Sequence, residues 1–103
     1  MTVKQDLQAA RDLITDPKHW TQNTPARDMT GKPCNSDAPE AVCFCIYGAV
    51  GHVTQCDITR YGSCVASIME VEDSPGFFND THNHQEVLDL LDRTITSLPE
   101  GST

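Results

Sequence analysis

Residues 40–53 read EAVCFCIYGAVGHV, and how this run folds decides the architecture. Val42, Cys45, Ile46, Ala49, Val50 and Val53 fall at i, i+3, i+4, i+7, i+8 and i+11, the stripe of an amphipathic helix. Just upstream, Asp37-Ala38-Pro39-Glu40 offers a capping residue, a carboxylate at the third position and a proline in the first turn. The spacing therefore predicts one helix from the cap at Asp37 through Val53, apolar nearly all round and so central. On that helix Cys45 is a small hydrophobe of the stripe. Cys43 points about 200° away, on the side of Tyr47. Two thiols so divergent cannot share one metal ion.

Outward from this run the chain breaks into further helical segments. Thr2-Val3-Lys4-Gln5 is a capping box, followed by Val3, Leu7, Ala10 and Ile14 on one face. The helix is expected to end near Thr15, because Pro17 disfavours helical geometry at the residue before it. Asp16-Pro17 then caps a short turn carrying Trp20. Residues 21–38, TQNTPARDMTGKPCNSDA, read as a long ordered loop, with ARDMTGKP as a candidate hairpin about Thr30-Gly31. Loops of that length are usually functional or disordered.

Beyond the central run, Asp57 caps a helix whose inner side is expected to be Ile58, Tyr61, Val65 and Ile68, with Gly62 marking a close helix crossing. Ser74-Pro75-Gly76 ends it. GFFNDTHNHQEV, residues 76–87, reads as a loop leading to the Asn83–Glu86 cap of a last helix, with Val87, Leu90, Leu91, Ile95 and Leu98 inside. Pro99 stops that helix and residues 99–103 form a frayed tail. The expectation is an all-α single domain spanning residues 1–103, with four main helices and the long loop between the first and second.

Composition narrows the function. The chain has 103 residues, 38% of them apolar and 6% aromatic, and a net charge of −8. Residues 1–53 hold five Lys/Arg against six Asp/Glu, and residues 54–103 hold two against nine. So acidic a surface repels phosphate backbones and anionic lipid, which argues against direct nucleic-acid or membrane binding. It suits instead a protein partner with a basic surface. Glu70, Glu72, Asp73, Asp80, Glu86, Asp89 and Asp92 would face it. There is no window of about 18 apolar residues, and MTVKQDLQAARDL lacks the apolar core of a signal peptide. A cytoplasmic setting with reduced cysteines is expected, and the five cysteines are an odd number for a disulfide framework.

Three constellations could carry chemistry. His82-Asn83-His84 near Asp80 could gather a metal, but the C-x2-C and H-x3-H spacings of zinc sites are missing, so neither metal nor cofactor is expected. Cys43, placed in an early helical turn, could be a thiolate nucleophile with His84 as base and Asp80 or Asn79 orienting it. Arg27, beside Asp28, suits a bidentate bond to a carboxylate such as Asp80. That bond would either pin the long loop or line a cleft with Trp20 as its floor. Phe77, Phe78 and Trp20 are aromatics near loops, ready either to plug the helical layer or to anchor an interface.

Trp20-Thr21, Ala26-Arg27-Asp28, Cys43-Phe44-Cys45 with Gly48-Ala49, Phe78-Asn79-Asp80, and His84 before Glu86-Val87 follow in an order that resembles a family of short uncharacterised bacterial and bacteriophage proteins. Phe44 stands where that pattern has Trp. The family has no assigned activity. What the resemblance implies is a bacterial or phage-infected cell, and a phage-encoded inhibitor is one form the protein could take. The reading is a non-enzymatic acidic interaction protein. Its partner would be a host nucleic-acid-binding or defence protein, blocked at its phosphate-binding surface. The alternatives are a small thiol-dependent hydrolase using Cys43 and His84, or a small-ligand or metal-binding protein.

Overall fold

The computed structural model describes residues 2–99. Helix α1 (Val3–Leu13) opens with the expected box: Thr2 Oγ1 accepts from Gln5 N and Gln5 Oε1 from Thr2 N. It ends at Ile14, and Asp16 then caps a 3-10 turn over Pro17–His19. Both boundaries follow from cap and proline chemistry.

Residues 40–53 do not form one helix. Cys43–Phe44 is a strand, β3, and helix α2 begins only at Ile46, running to Thr54. Two more two-residue strands, β1 (Ala26–Arg27) and β2 (Pro33–Cys34), complete an antiparallel sheet in the order β2-β1-β3. Ala26 pairs with Cys34 and Phe44, and Arg27 with Pro33 and Cys43. The fold is thus mostly helical with a small sheet, not all-α. A short apolar run fits a helix face and a strand equally well. Here β1 supplies the backbone partners, and Val, Cys and Phe are indifferent helix formers at ease in a pleat. Cys45 becomes the N-cap of α2, its Sγ accepting from Gly48 N at 3.3 Å.

The long loop is accordingly a hairpin plus connections. Gly31, at φ +85°, makes the tight turn between β1 and β2. Pro25, just before β1, sends its carbonyl to Cys45 N at 3.0 Å. Gly48 admits that carbonyl: a Cβ there would lie 1.7 Å from Pro25 O.

Helix α3 (Ile58–Met69) starts at Asp57, which caps Arg60 N. Its inner residues are Cys64 and Ile68, while Ile58 is 88% exposed, contrary to expectation. Gly62 marks no helix crossing, since a Cβ there would meet nothing within 4 Å. The segment expected as a loop forms a fifth helix, α4 (Pro75–Thr81), with Pro75 in its first turn. Helix α5 (His84–Ser97) carries the predicted Asn83–Glu86 capping box. The expected frayed tail falls, beyond Pro99, outside the described residues.

Helix α2 sits centrally, touching α1, α3, α4 and β3. Leu7, Ala10 and Ile14 of the first segment meet Ile46, Ala49 and Val50, with Ile68 and the Val87, Leu90 and Leu91 face of α5 closing the core. Each such aliphatic side chain contributes about 1.5–3 kcal/mol on burial. Asp6, only 2% exposed, is held from α3 by Arg60 through paired bonds of 2.8 and 3.1 Å.

Candidate functional site

Trp20 and Asn79 lie 59 positions apart, and the fold joins them. The Trp20 indole Nε1 donates to Asn79 Oδ1 at 2.9 Å, and the same oxygen accepts Ile46 N at 3.0 Å. Asn79 Nδ2 donates to Thr21 O and to Asp80 Oδ1, both at 3.1 Å. A primary amide offers two donors and two lone pairs, so this fully buried side chain is used up. It ties the start of the loop, the first turn of α2 and helix α4 into one node. Asp80 Oδ1 also accepts Asn23 N at 2.8 Å, and Gln22 Nε2 donates to the carbonyls of Asn79 and His82. Asn79 is therefore interior scaffolding, while Trp20 is half-buried and Asp80 stays exposed on the rim of a hollow of about 190 Å³ that Asn23, Cys45 and Tyr47 also line.

Arg27 does not bond to Asp80. Its guanidinium donates to Thr21 Oγ1 at 3.0 Å, Gly31 O at 2.9 Å and Gln22 O at 3.4 Å, which closes the hairpin on itself. Asp28 shapes the same turn, accepting from the Thr30 hydroxyl and from the Thr30 and Lys32 N–H groups. The Thr30 hydroxyl, then those amides, hold its carboxyl below the ordinary range.

Cys43 and His84 make no hydrogen bond with each other. Cys43 sits in β3 rather than in a helical turn, two residues before the Cys45 cap of α2, with Sγ 4.0 Å from Arg27 O. His84 Nε2 donates to Ile14 O at 2.6 Å, and its ring lies 5.5 Å from that of Trp20. The Cys45 and Cys64 thiols are buried, whereas Cys56 is exposed. Burial raises the Cys45 pKa and pushes Cys64 up to about 11. Among the described residues no group of three or more His, Cys, Asp or Glu side chains is placed to hold a metal. His82 Nδ1 instead donates to Phe78 O at 2.9 Å.

One open groove, of about 600 Å³, is lined by Phe78 and His82 of the α4 end and by Glu86, Asp89, Asp92 and Arg93 of α5. The Phe78 and His82 rings stack at 3.7 Å, 9° from parallel. Glu86 and Asp89 are exposed; the first accepts from Asn83 N and the second from Gln85 Nε2, both neutral donors. Asp92 is gripped by Arg11 through bonds of 3.0 and 3.2 Å, and that contact raises the Arg11 pKa. Glu70, Glu72 and Asp73 lie apart from the groove residues, on the connection between α3 and α4; Glu70 and Asp73 are exposed and Glu72 half-buried. Phe77 is 71% exposed. Sequence reasoning missed Gln22 and Asn23, whose side-chain and backbone amides read as ordinary loop polarity. It also missed the Phe78–His82 stack, although the i, i+4 spacing on a helix would have signalled it.

A model of a family of unknown function, DUF6197, matches residues 1–97. The chain belongs to that family. No curated protein and no solved structure matches it. The DUF6197 region takes in all five helices and the sheet, so node, hairpin and groove are all parts of the family domain. Among the described residues of this DUF6197 protein, no helix is long and apolar enough to cross a membrane.

Proposed function

We propose that the protein is a non-enzymatic interaction module that docks on a basic protein surface through the α4–α5 groove, taking an arginine or lysine side chain of its partner. One observation carries this: Glu86 and Asp89 line the same groove as the parallel Phe78–His82 stack. A guanidinium lies flat on an aromatic face and pairs with carboxylates at its edge, and both partners are on offer. The charge of −8, concentrated in the second half of the chain, would steer such a partner from a distance. In the bacterial or phage setting that the sequence resemblance implies, the partner is a host nucleic-acid-binding or defence protein inhibited at its phosphate-binding surface.

The test is affinity capture of basic proteins from a bacterial lysate, followed by titration of the captured partner between 50 and 300 mM salt, roughly the span over which charge screening tightens. Binding should weaken with salt and fall at least tenfold in the Glu86→Lys/Asp89→Lys double variant. Salt-independent binding, or binding unaffected by that variant, would overturn the proposal.

A further inference from the structure

We infer that the exposed face of α3 is a self-association surface, and that two copies pair across it about a two-fold axis running between Ile58 and Gly62. The face combines a knob and a hole. Ile58 is 88% exposed, the most exposed of the large apolar side chains among the described residues. It stands on the rim of a hollow of about 350 Å³ lined by Pro25, Ser36, Tyr47, Cys56, Tyr61 and Gly62. Ile58 and Gly62 are one helical turn apart and so lie on one face. Nothing comes within 4 Å of where a Gly62 Cβ would be, so the hollow is open above the helix backbone. A two-fold axis between these positions seats each Ile58 against the partner's Gly62, the reciprocal contact an isologous interface requires.

Charge selects the occupant. In a chain of net charge −8, the twelve residues Ile58–Met69 contain no Asp or Glu. Their one formal charge, Arg60, is turned inward to Asp6. An acidic protein meets its own copy most cheaply where each surface carries the fewest carboxylates, here Asp57 alone at the helix cap, because like charges brought face to face cost more free energy the closer they come. With the axis placed as above, Asp57 falls opposite the partner's Ser63 rather than opposite a second carboxylate. A basic partner has no such reason to choose this face, and the groove on α5 is the better match for it. The helix is about 18 Å long, and one helix pair with its flanking loop covers less than the roughly 1,600 Å² of a standard interface. The dimer is therefore a weak one, formed at high local concentration.

Salt dependence separates this interface from the proposed docking groove. Two molecules of like net charge repel at long range, and ions screen that repulsion. Dimerisation must tighten as salt rises, whereas capture of a basic partner must loosen. The experiment is sedimentation velocity of the full chain from about 10 µM to 1 mM, at 50 and 500 mM NaCl, a range spanning Debye lengths of roughly 14 to 4 Å. A monomer–dimer equilibrium several-fold tighter at high salt is expected. Ile58→Asp should weaken it at least tenfold, with the circular-dichroism spectrum unchanged because an aspartate suits the first turn of a helix. Gly62→Glu fills the hollow and should do the same. Asp89→Lys, in the docking groove, should leave dimerisation intact at high salt. A monomer at 1 mM in 500 mM NaCl, or a dimer indifferent to both Ile58→Asp and Gly62→Glu, overturns the inference. So does a monomer whose hollow takes up an apolar dye, since the occupant would then be a small ligand.

Discussion

Asn79 Oδ1 receives the Trp20 indole and the Ile46 backbone N–H at once, at 2.9 and 3.0 Å. Replacing Asn79 with Ala strands both donors in the interior and removes the amide that tied Thr21 O and Asp80. An unsatisfied buried group costs about 1–3 kcal/mol, so Asn79→Ala should lose about 2–4 kcal/mol of stability in urea titration. Trp20 is the only tryptophan. Its fluorescence should shift to the red in the folded variant, a direct readout of the opened node.

Gly48 and Pro25 make the opposite kind of contact, in which the missing side chain matters. A Gly48 Cβ would collide with backbone, 1.7 Å from Pro25 O, and backbone cannot rotate aside as a flexible side chain can. Gly48→Ala should unfold the protein or drive the loop off α2, seen as loss of the cooperative thermal transition. Gly62→Ala, exposed in mid-helix with open space around it, should stabilise the dilute monomer by about 0.5–1 kcal/mol.

Two arginine–aspartate forks brace α1, and they should behave differently. Arg60 holds Asp6, which is 2% exposed, whereas Arg11 holds Asp92 at the rim of the groove, with the Asp92 side chain 49% exposed. Surface pairs contribute little because water competes for both partners, while a carboxylate left buried without its cation is costly. Arg60→Met should therefore lower the thermal midpoint by several degrees more than Arg11→Met. Equal shifts would mean that Asp6 finds water or another donor when Arg60 is gone.

What the sequence made legible was chemistry that acts locally. The Thr2, Asp16, Asp57 and Asn83 caps each satisfy backbone donors within three residues, so residue identity locates these four starts, although the similar signature at Asp37 opens no helix. Residues 40–53 misled because their apolar spacing fits a helix, while the deciding partner, Ala26–Arg27, lies far back along the chain. The same limit hid the site. Trp20, Asn79 and Asp80 stand out in the sequence as aromatic and polar loop residues, but the partners that hold the Asn79 amide inside, Ile46 N and Thr21 O, lie far off along the chain. A guanidinium can reach across a fold to a distant carboxylate, but that of Arg27 turns to carbonyls four and five residues away. Helix α4 was invisible because seven residues bracketed by Ser74-Pro75 and Asn83 carry too little periodicity to outweigh loop composition.

The thiols give a last test, with a definite sign. Burial pushes Cys64 up to about 11 against an ordinary 9.0 in the unfolded chain. Below pH 9 the thiol is protonated in both states and costs nothing. As pH rises from 9 towards 11 the unfolded chain releases this proton while the folded chain keeps it, so folding stability falls across that window. Cys64→Ala should flatten this alkaline decline relative to the parent in urea titrations at pH 8, 9 and 10. At pH 8 the native protein should react with a disulfide reagent first at Cys56, which is exposed, and last at Cys45 and Cys64, which are buried. Fast modification confined to Cys43 would instead mark a thiolate held reactive on β3, and the interaction-module reading would give way to thiol chemistry.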